Sequence, residues 1–172
     1  MTMLETERLS LRKFSTTDAE FIFKLLNEPS FIQNIGDRGV RSAPDAEGYL
    51  ERGPLASYAK NGFGLLAVVS KETGEMMGMC GLIKREALDD VDIGYAFLPQ
   101  FWSRGFAVEA ARRVADSASE NFGLARIVAI VDPANTASIR LLERIGFTYE
   151  KMVRLTADDI ELKLFARRLK AD

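Results

Sequence analysis

The sequence predicts an α/β domain in which a mixed sheet of six to seven strands is flanked by about four helices. Three strand-like runs follow one another with short turns between residues 63 and 99, as in an antiparallel meander. After residue 99 the pattern changes, and helices alternate with strands. One of these strands, residues 125–131, is apolar except for Arg126 near its start, which is typical of a strand buried on both faces. A meander that continues as β-α-β-α-β indicates one sheet with helices on both faces.

Seven segments are predicted as strands, because they are apolar or alternate apolar with polar residues and end at turn residues. In chain order they are residues 8–14, 63–70, 76–84, 91–99, 125–131, 147–153 and 159–169. Turn-forming runs at residues 71–75 and 86–90 join the second, third and fourth strands into the meander.

Four segments are predicted as helices, and they are residues 17–28, 45–60, 104–121 and 136–144. A capping-box spacing from Thr17 begins the first helix. A Gly-Pro pair interrupts the second. Gly123 and Gly146 follow the last two, where a left-handed glycine commonly ends a helix. Residues 31–42, which contain two glycines, predict a loop.

Composition restricts the classes of function. The 172 residues predict a single domain over residues 1–172, and the net charge of −2 argues against a nucleic-acid partner. The chain has no histidine, and Cys80 is its one cysteine, which removes histidine-based catalysis, an internal disulfide and the usual zinc sites. We therefore expect no metal. The sequence shows no signal segment and no apolar run of about 18 residues, so we expect a cytoplasmic protein without membrane association.

The join between the fourth strand and the third helix reads Phe-Trp-Ser-Arg-Gly-Phe-Ala, residues 101–107. A helix N-terminus presents unpaired N–H groups and partial positive charge, so it binds anions. Gly105 and Ala107 are small enough to let a phosphate approach the main chain, and Arg104 can add a charged contact. The segment is thus a candidate pyrophosphate cradle, and the alternative is that Gly105 only eases a turn. Neither a Walker loop nor a dinucleotide fingerprint is present in the sequence.

A second polar pair follows the buried strand of residues 125–131. Asn135 precedes a short amphipathic helix, and Ser138 lies in its first turn. Asn135 is explained equally well as an N-cap, and Ser138 as a tolerated first-turn serine.

Taken together, four stretches resemble the GNAT superfamily of N-acetyltransferases, specifically its RimJ/RimL-like branch. They are Thr6-Glu7-Arg8-Leu9-x-Leu11-Arg12, Asp92-Ile93-Gly94-Tyr95, Trp102-x-x-Gly105-x-Ala107-x-Glu109-Ala110, and Asn135-x-x-Ser138 with Gly146-Phe147. Their order and spacing extend the resemblance over nearly the whole chain. Trp102 departs from the Gln or Arg of the wider family but is usual for this branch.

The resemblance implies an acetyl-CoA site in a V-shaped gap between two splayed parallel strands, residues 92–98 and 125–131. The pantetheine arm would bond to backbone near Phe97 and Leu98. Asn135 would contact the same arm, and Ser138 would lie near the thioester sulfur. The pyrophosphate would meet N–H groups of the turn that comprises Ser103, Arg104, Gly105, Phe106, Ala107 and Val108.

Acetyl transfer to an amine needs a base, because most amines are protonated at neutral pH. Without histidine a carboxylate is the natural choice, and Asp92 matches the position where this branch usually carries Glu. Its shorter side chain favours a bridging water. The alternative is that Asp92 is an exposed acid at a turn, beside Asp89 and Asp90. Ser138 is the candidate that stabilises or protonates the leaving sulfur.

The charged residues of the last two helices have plainer interpretations. Glu109 is expected to stabilise the start of its helix through the helix dipole. Arg112, Arg113, Arg140 and Arg144 can reach the 3′-phosphate of coenzyme A, or they are solvated helix charges.

The expected partners are acetyl-CoA and an amine acceptor, either a protein N-terminus or a small molecule. Two other classes stay open: a non-catalytic module that binds or senses acyl-CoA, and an α/β domain whose glycine-containing turn is only structural. The sequence allows either a monomer or a homodimer.

Overall fold

The computed structural model describes residues 2–169, and within them eight strands form one mixed sheet in the order β1-β2-β3-β4-β5-β6-β8-β7. The strands are β1 (Thr2–Glu5), β2 (Leu9–Lys13), β3 (Leu65–Ser70), β4 (Met76–Ile83), β5 (Asp92–Phe97), β6 (Arg126–Val131), β7 (Thr148–Val153) and β8 (Leu162–Arg168). The predicted fold class is confirmed. The sheet has eight strands instead of six to seven, because β1 pairs antiparallel with β2 and extends that edge.

Residues 2–169 contain six α-helices, where the sequence predicts four. They are α1 (Ala19–Leu26), α2 (Pro29–Asn34), α3 (Ala43–Leu50), α4 (Ala56–Asn61), α5 (Phe106–Phe122) and α6 (Thr136–Arg144). The predicted loop at 31–42 is wrong in its first part, because Pro29 starts a short helix there. The predicted helix at 45–60 is divided by a π-helical segment, Glu51–Leu55, that contains Pro54.

The helices cover both faces of the sheet. Helices α5 and α6 pack on one face, where Ala110, Val114 and Leu142 join a core with apolar residues of most strands. Helices α1 to α3 pack on the other face around Ile22 and Leu50. Helices α1 to α3 cover only the half of that face that β2 to β5 form, and on the other half a small separate cluster contains Leu88, Val128 and Leu164.

The centre of the sheet opens where its two parallel strands meet. Strands β5 and β6 share a single register pair, Asp92 with Val128, and the Val91 carbonyl accepts a hydrogen bond from the Val128 N–H at 3.0 Å. Beyond this pair β6 bonds along its length to β8, while β5 stays with β4. The predicted gap between two parallel strands is therefore present, and it widens toward the carboxyl ends of both.

Candidate active site

A continuous cleft of about 1370 Å³ occupies the gap between β5 and β6. One end reaches the turn before α5 and the first turn of α6, and the other reaches α2, α3 and the π-helical segment. Of the residues predicted from the sequence, the cleft is lined by Asp92, Phe97, Ser103, Gly105, Phe106, Ala107, Val108, Asn135 and Ser138. Leu98 and Arg104 do not line the cleft, although Arg104 belongs to the turn before α5.

The free edge of β5 presents backbone groups to the cleft. The Val91 carbonyl points toward β6, and the backbone polar groups of successive residues in a strand point to opposite sides. The N–H and C=O groups of Tyr95 and Phe97, an even number of residues after Val91, therefore also point toward β6 and the cleft. The Phe97 carbonyl accepts a hydrogen bond from the Trp102 indole at 2.9 Å. The prediction for Leu98 is corrected, because its N–H donates to the Met77 carbonyl on the opposite side and its side chain is buried. Tyr95 takes its place at the cleft.

The turn before α5 is held in a conformation that exposes its amides. Ser103 has a φ of 60° and Gly105 a φ of 80°, so the chain is left-handed at both, and α5 begins at Phe106 and not at 104 as predicted. Within residues 2–169, no acceptor receives a hydrogen bond from the N–H groups of 103–108. Four of them belong to the start of α5, where the helix itself supplies no partner. The turn can therefore receive an anion through its main chain.

Residues from the start of the chain brace this turn. The Arg8 guanidinium stacks 4.3 Å from the centre of the Phe106 ring and donates to the Arg104 carbonyl at 3.1 Å. Its Nε also donates to the Glu109 carboxylate at 2.7 Å. Thr6 Oγ1 and the Arg8 N–H bond to the second oxygen of Glu109, at 2.5 and 3.0 Å. Glu109 therefore ties α5 to the β1–β2 turn, a role more specific than the predicted dipole effect.

These contacts shift the pKa of the Glu109 carboxyl group. Partial burial raises its pKa, but the hydrogen bonds from Thr6 and the Arg8 N–H and side chain lower it more, so the net pKa lies below the usual value. Beside it lies a recess of about 440 Å³ that Arg112, Arg113 and Arg144 line. Three of the four predicted phosphate-binding arginines thus gather next to the turn, and Arg140 lines the main cleft.

Asp92 lies at the base of the cleft, where β5 and β6 pair. Its side chain is 1% exposed, so it is not the exposed turn acid of the alternative interpretation. One oxygen accepts a hydrogen bond from Arg85 Nε at 3.2 Å, while the other, Oδ1, has no partner within residues 2–169. Burial raises the pKa of this carboxyl, and the nearby charge of Arg85 opposes the shift without cancelling it. A buried carboxylate with a free oxygen and a raised pKa is suited to accept a proton.

Ser138 and Asn135 lie across the cleft at the start of α6. Asn135 Oδ1 accepts a hydrogen bond from the Ser138 N–H at 3.2 Å, so Asn135 caps the helix. Ser138 Oγ lies 2.5 Å from the Tyr95 hydroxyl, and the two share a hydrogen bond. Burial raises the pKa of Tyr95, and the bond to Ser138 opposes this only in part, so the phenol stays protonated.

Sequence reasoning missed three contributors to this site: Tyr95, Arg85 and the Thr6–Arg8 pair. Tyr95 does carry a signal, since a tyrosine in a strand with apolar neighbours needs a partner for its hydroxyl. Arg85 carries none, because it follows β4 in a turn and meets Asp92 only in the folded chain.

The sequence pattern of the acetyltransferase (GNAT) domain family matches residues 8–148. The chain belongs to this family. An uncharacterized N-acetyltransferase of Bacillus licheniformis, p20, is 32% identical over 159 residues, which cover 90% of this chain and 86% of that protein. The uncharacterized N-acetyltransferase YoaA of Bacillus subtilis is 31% identical over 153 residues, with 88% and 86% covered. The predicted family is confirmed, and the chain is a GNAT N-acetyltransferase.

Solved structures agree with this assignment. An acetyltransferase from Agrobacterium tumefaciens str. C58 superposes with a TM-score of 0.82 at 27% identity, over 98% of this chain and 95% of that one. RimL, the ribosomal L7/L12 α-N-protein acetyltransferase solved with coenzyme A, has a TM-score of 0.85 at 18% identity over the full length of both chains. RimL shares the fold of this GNAT enzyme. Within residues 2–169, no helix is long and apolar enough to cross a membrane.

Proposed function

We propose that this GNAT enzyme transfers the acetyl group of acetyl-CoA to a primary amine by direct attack in a ternary complex. The observation that carries the proposal is the arrangement of the cleft. A turn of unpaired amides lies at one end, and a buried carboxylate with a free oxygen lies at its base. Acetyl-CoA, when bound, supplies an acetyl thioester that is open to attack by an amine.

The contacts support an assignment of the cofactor-binding residues. The N–H groups of 103–108 would hold the diphosphate, with Arg112, Arg113 and Arg144 beside them for a further phosphate. The free backbone edge at Tyr95 and Phe97 would align the pantetheine arm as an additional strand. The fit rests on the main chain, because a diphosphate needs convergent donors and a close approach, and this turn offers both.

One group would accept a proton, and a second pair would stabilise the leaving sulfur. Asp92 Oδ1 would accept the proton that the amine loses as its nitrogen bonds to the acetyl carbon, through a water if the amine stands further off. As the carbon–sulfur bond breaks, the Ser138 hydroxyl would donate a hydrogen bond to the departing thiolate and accept one from the Tyr95 hydroxyl, and the thiolate would take its proton from solvent on release. The Tyr95 phenol suits this role because burial keeps it protonated, so that its O–H remains a hydrogen-bond donor to Ser138.

Thermal unfolding with and without acetyl-CoA tests cofactor binding, with NAD and ATP as controls. A ligand at 100 times its Kd adds roughly 2.7 kcal/mol of stability, which for this length raises Tm by about 5–10 °C. Release of free thiol from acetyl-CoA on addition of amines then tests transfer. We expect a rise with acetyl-CoA alone and amine-dependent thiol release. No rise at millimolar acetyl-CoA would contradict the proposal.

A further inference from the structure

The end of the cleft farthest from the turn before α5 is unusually basic for a chain with a net charge of −2. Its lining comes from the loop after α2, the π-helical segment, α4 and the end of β4. The basic side chains there are Arg38, Arg52, Lys60, Lys84 and Arg85, against the carboxylates of Glu86 and Asp92. The charge of this end is therefore opposite in sign to that of the whole molecule, and a cleft concentrates such a field.

Some of these cations have no protein partner among the residues that the structure describes. Arg85 pairs with Asp92, and Lys84 donates to the carbonyls of Arg85 and Leu88. Within residues 2–169, Arg38 and Arg52 make neither an ion pair nor a hydrogen bond to another side chain. Two unpaired guanidinium groups that line one cleft are suited to bind a planar or tetrahedral anion.

Tyr49 adds a neutral donor to the lining of the same cleft. Its half-buried phenol lines the cleft, and burial raises its pKa. The charges of Arg38 and Arg85 oppose that shift, which means that the hydroxyl lies within the field of both. A protonated phenol can donate a hydrogen bond to the anion that the guanidinium groups attract.

The backbone also makes room for Arg52. A Cβ at Gly48 would lie 2.8 Å from Arg52 Nη1, so the guanidinium packs over a residue without a side chain. Arg52 lies in the π-helical segment Glu51–Leu55, and single π-helical turns are frequent at functional sites. Gly48 and the π-helical turn together present Arg52 toward the cleft.

We propose that the acceptor is an amine that carries an anionic group, a carboxylate or a phosphate, which Arg38, Arg52 and Tyr49 bind while its amine faces Asp92. This inference rests on the proposed function. The anion orients the acceptor, and the same guanidinium groups repel amines that carry additional positive charge. The proposal therefore selects anionic amines over polyamines and aminoglycosides.

Matched pairs of amines test the proposal by thiol release from acetyl-CoA. L-amino acids are compared with their carboxamides for the carboxylate, and aminoethyl phosphate with ethanolamine for the phosphate, at equal concentrations of unprotonated amine. Spermidine and kanamycin represent polycations. We expect kcat/KM to be at least about tenfold higher for the anionic member of one or both pairs, as for a charge-assisted contact, and lowest for the polycations. The pair that shows the preference identifies the anion.

Variants assign the preference to the proposed residues. We expect Arg38→Gln and Arg52→Gln to raise KM for the anionic amine, with kcat little changed. The ratio of kcat/KM between the anionic and the neutral amine of a pair should therefore fall toward one. Lys24→Gln removes a charge from the exposed face of α1 and should leave the ratio intact. Titration calorimetry of the anionic amine into protein saturated with coenzyme A gives a reading independent of turnover, and both arginine variants should weaken that binding about tenfold.

Failure of the anionic-acceptor proposal can be distinguished from failure of the acetyltransferase proposal. If acetyl-CoA stabilises the protein but neutral or polycationic amines are preferred, or if both arginine variants keep the wild-type ratio, the anionic acceptor is refuted and the acetyltransferase proposal stands. If acetyl-CoA does not bind, the proposed function and this inference are both overturned. Because Arg38 and Arg52 are exposed, their replacement should leave Tm unchanged, which the same unfolding assay checks.

Discussion

At the scale of single residues, Asp92 combines burial with an incomplete set of partners. A carboxylate removed from water and left with one free oxygen costs the folded state free energy, even beside Arg85. Such a cost is typical of groups kept for chemistry, since substitutions that relieve it stabilise the protein and impair activity. Asp92 thus links the stability of the chain to its proposed function.

Replacing Asp92 by Asn is expected to lower kcat about 10²–10⁴-fold, as for loss of a general base. The same change should increase stability at neutral pH. Because the folded pKa of Asp92 is raised, its ionisation penalises the native state, and the penalty is absent below the ordinary value near 3.8 and grows as pH rises through the folded pKa. Urea unfolding at pH 5 and pH 8 measures this: the advantage of the variant should be larger at pH 8. Asp89→Asn, at the exposed turn, is the control, and near-full turnover by Asp92→Asn would refute the role.

Tyr95 and Ser138 are expected to act as one unit, because their oxygens lie 2.5 Å apart. We predict that Tyr95→Phe and Ser138→Ala each lower kcat about 10–100-fold, with little change in KM for acetyl-CoA. The double variant should be little worse than either single one, since the hydrogen-bonded pair that stabilises the leaving sulfur is lost with either member. Steady-state kinetics of the four proteins measures the coupling, and Tyr149→Phe, an exposed tyrosine of β7, is the control. Multiplicative effects would show that the two hydroxyls act independently.

At the scale of elements, the α5 turn depends on a segment nearly a hundred residues away in the chain. Thr6 and Arg8 hold Glu109 in the first turn of α5, and Arg8 also bonds to the Arg104 carbonyl. Charge-assisted bonds of this kind fix the position of a helix end against the sheet. Preorganised amides bind an anion without an ordering cost, so the brace contributes to cofactor affinity through the geometry of the turn.

Glu109→Gln is expected to destabilise the protein by about 1–3 kcal/mol and to raise the Kd for acetyl-CoA, because the amide keeps the shape but loses the charge and one acceptor. The folded pKa of Glu109 is lowered, so its stabilisation is complete above the ordinary value near 4.5 and is lost as pH falls through the folded pKa. The difference between wild type and variant should therefore shrink in acid, which urea unfolding across pH measures. Glu20→Gln, an exposed glutamate in the first turn of α1, is the control and should change neither quantity appreciably. Equal losses of stability and of acetyl-CoA affinity in both variants would show that the contacts of Glu109 with Thr6 and Arg8 do not hold the turn.

The sequence predicts elements well where the signal is local and poorly where it depends on contacts. The buried strand β6 and helix α5 are found because apolar periodicity and terminal glycines mark them directly. Helix α2 is missed because the two glycines that follow suggest a loop and hide the effect of Pro29. Leu98 is misassigned because sequence alone does not show which backbone groups of a strand face which neighbour.

At the scale of the whole molecule, the sheet consists of two parts that meet at one register pair. Strands β1 to β5 form one ladder and β6 to β8 another, with Asp92 and Val128 between them. Motif order predicts this gap, and hence the positions of the cleft and the turn. The acceptor end could not be predicted, because Arg38, Tyr49 and Arg52 lie on separate elements and converge only through packing of the N-terminal layer.

Acetyl-CoA is expected to fill the gap between the two ladders, so its binding should slow amide hydrogen exchange most along the open edge. The N–H groups of Tyr95 and Phe97 and of the turn at 103–108 should gain a partner on binding. In β2 and β3, which are already fully paired, local exchange should change little. Exchange measured residue by residue, with and without acetyl-CoA under conditions where local opening dominates, tests this. Protection that rises equally in β2, β3 and β5 would indicate only global stabilisation and would place the ligand outside the gap.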